Sequence, residues 1–521
     1  MVSVMLMIVA LMGLLVVATR TTLNNGSVVS RVYHEEQVFQ VADGGANVAE
    51  RWLRDHLLIN PRITQAELNT ATAPSLPGYN FSQFSITKQA RQDDVLITNG
   101  PYAGLLGSRQ PFTILVHAEN ANSTNESTVE VTSELYWVGL YQFAIFYDGD
   151  LELYPRNPSP YTGHIHANGN MYLGSDATFD ITGQVTAAGH IYNTPKDPTL
   201  VFHGKARIAD RAGHWHDLSY DSRDPNWVAK SIGDWQGLVE DSAHGVKPLP
   251  FPVVTLPLAI DLIKRGQVGD DSLHHALRYY WRAGLRIIDG VGYDSLGHNV
   301  PIPAGVISNS SVKDWREGHN MEMRNINMDS LRIKGLVPAN GVIYVSYSHT
   351  YAAVRLTHGA TLPTGGLVIA TDNPLYVLGD YNTLNEQPSS IMCDAFNVYS
   401  NGWLDADAIK VLNQRGANPT CVNSCVVTGD KVTIPGHYSG GAQNLVRLHQ
   451  KWTAMAQLTQ KGTLVCLWRC EQATGDFVDG APVFSENHRV CSFDPNLLNP
   501  DYWPDDYFTV MLLTRSRWVS Y

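Results

Sequence analysis

A chain of 521 residues is long enough for two to four domains, and only 17 % of it is charged, with 43 glycines and 27 prolines signalling many turns. That profile fits a β-rich protein acting outside the cytoplasm. A formal net charge of −12 without any cluster of Lys and Arg excludes a nucleic-acid binder, because phosphate contact needs such clusters. The first element is an apolar run from Val2 to Ala18, broken only by Ser3 and Gly13, with the first charge at Arg20. About 20 apolar residues cross a hydrocarbon core, so the run predicts a transmembrane helix. Beyond it Val32, Phe39, Ala42, Ala46, Ala49, Leu53 and Leu57 recur at helical spacing, and no proline precedes Pro61. Span and stripe together predict one helix of roughly 85 Å.

The segments MLMIVALMGLLVVATRTTLNN and EEQVFQVADGGANVAERWL resemble the N-terminus of PilX-type minor pilins and related pilin-like proteins. The family pattern falls on Phe39, Gln40, Ala42, Asp43, Gly45, Ala49 and Glu50, with Asp43 where glutamate is usual. The resemblance implies a basic leader removed by a prepilin peptidase, which leaves Met1 either as the first mature residue or inside a longer chain. Major pilins carry glutamate at position 5; Met5 stands here, which implies a minor subunit rather than the bulk of a filament. It also implies that Gly13, Ala42, Gly44, Gly45 and Ala46 permit close helix contacts with other pilin-like subunits. An inner-membrane anchor with an exported C-terminal region, or a place in an extracellular filament, follows as the expected localisation.

After a linker over 60–77, the alternation of apolar and polar residues predicts strands at Phe81 to Lys88, Phe112 to Ala118 and Thr128 to Leu140. NANSTNES reads as a solvated turn between the last two. From Phe143 on, FAIFYDGDLELYP, GHIHANGNMYLG, FDITGQVTAAGHIY, DSAHGVKPLPFP, GLVIATDNPLYVLGDYNT, YSGGAQNLVRL and LVCLWRCEQATG resemble uncharacterised pilin-like surface proteins that join such an anchor to a β-helix. Independently, many strands of four to eight residues separated by Gly, Asn and Asp, among them Met171 to Gly174, Gly341 to Tyr347 and Gly366 to Ala370, favour stacked coils over separate sheets. A two-sheet jelly roll is the alternative. The expected fold class is α+β, mainly β: a long N-terminal transmembrane α-helix, a small pilin-like strand region, then a large parallel β-helix-like domain. The expected divisions are 1–58 for the helix, 59–141 for the pilin-like head, 142–211 for the first β-helix part, 212–320 for an insertion with helices and 321–521 for the second part.

Candidate chemistry is sparse. His164 with His166, and His214 with His216 beside Asp217, place two imidazoles on one strand face and would chelate a metal given a third ligand. A polar ladder explains them more simply. Asp148 and Asp150 in YDGDLEL fit calcium or paired carboxylates, against an ordinary Asp-Gly turn; Asp405 and Asp407 are a weaker version. Calcium is the one cofactor the sequence admits, and none is expected.

All six cysteines, Cys393, Cys421, Cys425, Cys466, Cys470 and Cys491, lie in the last quarter and suggest disulfides. Cys421 and Cys425 flank what reads as a short loop and could bridge. Cys466 and Cys470, about 13 Å apart on a strand, would instead pair with Cys393 and Cys491 in an undetermined order. A zinc site from the two C-x3-C pairs is the rival.

Arg332, Ile333 and Lys334, with His203-Gly204, match fragments of a pectin-hydrolase pattern, but no pair of acids marks a scissile bond. An enzyme is therefore not expected. Tyr502, Trp503, Tyr507 and Trp518 close the end of the coil stack in this reading, or form a patch for surface glycans. The function expected is structural: assembly and display in a type IV pilus or pseudopilus-like system, with an adhesin as the alternative.

Overall fold

The computed structural model describes residues 2–60, 62–98, 102–249, 259–478, 480, 482–483, 488–499, 502–503 and 509–521. Met1 and Tyr507 lie outside these residues, as do the Met5 side chain and 250–252 of the DSAHGVKPLPFP segment. The chain forms two compact units: Met1–Asp93 with Ser108–Tyr136 and Met511–Tyr521, and Asp94–Gly107 with Trp137–Val510.

The first unit is a helix laid on an antiparallel sheet. Helix α1 runs from Val2–Ile59, and its inward stripe of Val38, Ala42, Ala46, Ala49, Leu53 and Leu57 is 0–3 % exposed. Against it stand β1 (Tyr79–Lys88), β3 (Leu106–Asn120), β4 (Glu126–Gly139) and the C-terminal strand Thr509–Ser520 in that order, with β2 (Gln92–Leu96) paired to β3. Along β3, Phe112, Ile114, Val116 and Ala118 point into the core, and the residues between them point away from it. This is the period-2 pattern of a half-buried strand. The helix approaches so closely that a Cβ at Gly45 would lie 2.7 Å from Phe81 Cε1 and 2.9 Å from Val116 Cγ1.

The expected transmembrane helix is corrected. Among the described residues no helix is long and apolar enough to cross a membrane. The run of apolar side chains ends at Thr19 and Arg20, and α1 continues through Arg31, Glu35, Glu36 and Asp43, charges that a hydrocarbon core does not hold.

The second unit is mainly β and begins with three parallel ladders. In one, β5 (Ile145–Tyr147), β8 (Ile165–Ala167) and β11 (Val185–Ala187) stack in register at intervals of 20 residues, Ile145 on Ile165 on Val185, and Val239–Glu240 follows. The second stacks β6 (Leu151–Leu153), β9 (Met171–Leu173) and β12 (Ile191–Tyr192). The third contains β7 (Tyr161–Thr162), β10 (Thr178–Thr182) and β13 (Lys205–Ala209). Successive rungs touch through backbone: Gly183 has φ 135°, and a Cβ there would lie 2.4 Å from the Gly163 carbonyl oxygen. Only glycine tolerates both conditions.

Further along, Val342–Ser346, Leu367–Ala370, Ser389–Cys393, Thr420–Asp430 and Leu458–Arg469 form a second parallel series. Its last strand pairs with β5, so segments more than 300 residues apart share one ladder. The wholly parallel β-helix-like domain expected from the sequence is corrected to a mixed sheet. Leu285–Ile288 with Val291–Asp294, Ile307–Lys313 with Asn320–Asn327, and β13 with Trp215–Asp217 pair antiparallel. These hairpins fall within 205–327, where Asp-Gly and similar turn pairs reverse the chain instead of carrying it round another rung.

Candidate functional site

The helix α1 presents two different surfaces. Its C-terminal half is fixed to the first unit: Trp518 meets Phe39 edge-on at 5.9 Å and donates its indole N–H to Asp43 at 2.9 Å, Ser133 donates to Glu50 at 3.0 Å, and Arg515 pairs with Glu50. Glu50 is buried, so these partners are what allow a carboxylate there. The N-terminal part carries Leu11, Met12, Leu14, Leu15 and Val16 at 56–69 % exposure. The small residues divide in the same way. Ala42, Gly45 and Ala46 face the chain's own sheet, whereas Gly13 and Gly44 look into open space.

That placement corrects part of the expected assembly face. A pattern that reads as a stripe for neighbouring subunits is, at positions 42, 45 and 46, the packing face of the chain's own fold. Trp518 likewise belongs to the first unit's helix contact and does not cap the coil stack. Trp503 is buried in the second unit, with its ring lying where a Cβ on Gly139 would be and its indole N–H donated to Leu497 O at 2.9 Å.

The histidine pairs are brought to quite different settings. His166 is buried on β8 and His164, half-buried, stands just before that strand, both reaching the Thr186 hydroxyl at 2.7 Å, with His166 also on Asn168 Oδ1 at 3.1 Å. Burial lowers their pKa values to about 3 and about 4, so both are neutral, and Phe143 and Phe146 pack against them. They form a polar ladder with Thr186 and Asn168. His214 and His216 both approach one Asp210 oxygen, at 3.3 and 3.5 Å. Burial alone would raise that carboxyl, but the His214 N–H and imidazole and the Ala212 N–H hold it below the usual carboxylate range.

Asp148 and Asp150 do not share a ligand. Asp148 accepts from Asn168 Nδ2 at 2.9 Å, while Asp150 accepts from the Asn170 N–H at 2.8 Å and pairs with Lys196 at 3.0 Å. Each fastens a corner of the next rung. Asp405 forms a bidentate pair with Arg355, and Asp407 pairs with Lys410.

The six cysteines are free, which corrects the expected disulfides. CVNSC is no loop: it lies within the strand Thr420–Asp430, which puts Cys421 and Cys425 about 13 Å apart. Cys393 and Cys466 do share a row, but Thr428 stands between them, and two strand spacings make roughly 9.6 Å. Cys491 opposes Gln460 and Tyr161. Burial pushes the Cys421 thiol up to about 11 and Cys470 to about 12, so neither is a thiolate at neutral pH.

A cavity of about 490 Å³ in the second unit is lined by Tyr154, Arg156, Lys431, His437, Tyr438 and Phe477 among others. Its rings pack on each other, Tyr438 meeting Phe477 edge-on at 5.6 Å and Tyr154 at 6.0 Å, so they are engaged with one another as well as with the cavity.

One cluster escaped the sequence reading. His117, Glu119 and Glu126 bring donor atoms within 4.8 Å of one another, and among the described residues no other His, Cys, Asp or Glu group does so. The available signal was His-x-Glu on an alternating strand with a glutamate just past the turn.

No family model matches this chain, and no curated protein matches it. Among solved structures it is similar to the competence-associated pilin ComZ from Thermus thermophilus, at 9 % identity and a TM-score of 0.29, over 93 % of this chain and 97 % of that one.

Proposed function

We propose that this chain is an assembly protein of a pilus-related system at the cell envelope, joined to other pilin-like subunits through the N-terminal part of α1. The observation that carries this reading is the division of the helix. Its C-terminal half is buried on the first unit, while Leu11, Met12, Leu14, Leu15 and Val16 project as a run of large apolar side chains at 56–69 % exposure. A continuous apolar surface of this kind is costly in water unless a partner covers it. The partner is the equivalent helix of a neighbouring subunit, as the N-terminal resemblance implies, and Gly13 lets two helices approach closely. The role is assembly and display of the β-rich second unit, without catalysis.

The test is a photo-crosslinking residue placed at Leu15 or, as a control, at Leu296, which is exposed in a turn of the second unit. The expected result is a ladder of crosslinked subunits from Leu15 in sheared filaments and none from Leu296. Equal crosslinking at both positions, or none at Leu15, would overturn the reading.

A further inference from the structure

Glu119 and Glu126 lie on facing strands of the β3–β4 hairpin. The Asn120 N–H bonds the Asn125 carbonyl at 3.0 Å, which sets Glu119 opposite Glu126 and His117 opposite Thr128. All four side chains point to the sheet face away from α1, the alternate positions Ala118, Ser127 and Val129 being the buried ones. Like charges directly opposed across a hairpin are destabilising. Among the described residues no lysine or arginine is paired with either glutamate; the only basic group between them is the His117 imidazole.

The distances are longer than those of charge-assisted hydrogen bonds. His117 Nε2 lies 3.4 Å from Glu119 Oε1 and 3.6 Å from Glu126 Oε2. A charge-assisted N–H···O bond closes to about 2.7–2.9 Å. Three donors each about 2.0–2.2 Å from a tetrahedral ion stand roughly 3.3–3.6 Å apart. The two histidine–carboxylate separations fall in the second range, and the donor atoms of the two glutamates lie within 4.8 Å of each other. The imidazole is also oriented for ligation, since its Nδ1 is 2.7 Å from the Thr128 hydroxyl oxygen. With Nδ1–H donated there, Nε2 turns its lone pair toward the two carboxylates, as the outer hydrogen-bond partners of ligating histidines arrange. Thr128 is itself fixed by backbone bonds with Tyr521 at 2.9 and 3.3 Å.

We propose that His117, Glu119 and Glu126 form a binding site for a divalent transition-metal cation of the Zn²⁺ class, with a fourth position open to water. One nitrogen and two carboxylate oxygens suit such an ion better than calcium, which takes six to eight oxygens. Binding neutralises the facing glutamates and locks the tip of the hairpin. The site stands on the first unit's sheet and is independent of how α1 assembles.

The experiment is titration of the metal-free full chain with Zn²⁺ by calorimetry and with Co²⁺ by absorption, on the native sequence and on E126Q, H117A and T128V. Glu126 is largely exposed, so E126Q leaves the fold unchanged, and circular dichroism checks this for each variant. The expected result is one equivalent bound with tetrahedral nitrogen–oxygen ligand-field bands, abolished in H117A, weakened well over tenfold in E126Q and by about tenfold in T128V. Thiolate charge-transfer bands, affinity unchanged in E126Q and H117A, or no binding by the native chain would each overturn the proposal.

Discussion

The two units solve the same problem, where to put polar side chains, in opposite ways. In the first, alternation sorts them: the sheet turns its apolar positions to α1 and most of its polar ones outward, and among the described residues Glu50 is the one charged side chain carried inside, with partners. In the second, charges are taken into the stack. Arg447 and Glu317 pair at 2.8 Å with side chains 4 % and 5 % exposed, Asp314 accepts from the Tyr376 hydroxyl at 2.7 Å, and Arg316 donates to Asn444 and to the Gly475 carbonyl. A helix-on-sheet sandwich can discard polarity to its faces. Strands buried on both faces, as Val342–Ser346 and Ser389–Cys393 are, have to satisfy it internally, and each buried group then becomes a point of vulnerability.

The largest effect is expected where that contrast is sharpest. Glu317→Ala leaves the Arg447 guanidinium buried without its carboxylate and should cost about 3–5 kcal/mol of second-unit stability, read as a lowered denaturant midpoint. The corresponding exposed pair on α1, Arg31 with Glu35 at 2.8 Å, should cost under about 1 kcal/mol when broken.

Acid should separate the units next. His164 and His166 have folded-state pKa values of about 3 and about 4, below the unfolded value of about 6.5. The unfolded chain therefore binds protons first as pH falls. Their contribution is complete above pH 6.5 and is lost below it, at up to about 1.4 kcal/mol per pH unit for each imidazole, until the folded pKa is reached. Replacing both by Asn should flatten the pH dependence of second-unit unfolding between pH 6.5 and 4; an unchanged slope would contradict their depressed folded-state pKa values.

Within the first unit, adjacent glycines give the finest contrast. Gly45→Leu drives a side chain into Phe81 and Val116 and should cost about 1–3 kcal/mol. Gly44→Leu meets nothing and should leave thermal stability unchanged or slightly raised, so any loss of filament incorporation in that variant reports on assembly alone. Trp518→Ala, removing the Phe39 contact and the Asp43 hydrogen bond, should cost about 1 kcal/mol, measurable by the same thermal unfolding.

What could be read from the sequence tracks these same physics. The stripe Ala42, Ala46, Ala49, Leu53, Leu57 was legible because the helix period is fixed; which partner the stripe faces was not, since a helix face packs on its own sheet by the same rules as on a neighbour. Short strands such as Met171–Leu173, Val342–Ser346 and Leu367–Ala370 were legible from apolar runs between turn residues. CVNSC was misread because Asn423 and Ser424 look like turn residues. They are buried strand residues whose side chains reach Asp494 and the Ser389 hydroxyl, partners set by neighbouring rungs and invisible locally. The His117 cluster was missed for a related reason: its third member lies beyond a turn, and only the hairpin register brings it alongside.

The first unit is discontinuous, and its sheet is completed by a strand that arrives after the whole of the second unit. During synthesis the segment 137–510 emerges before residues 511–521 can take their place beside β4. Until then Glu50 has no Arg515 and Phe39 has no Trp518, and the sheet lacks the strand that ends it beside β4. The helix proposed to join neighbouring subunits is thus secured last, which ties readiness for assembly to completion of the polypeptide: a chain interrupted anywhere before residue 511 would present that helix on an unfinished platform.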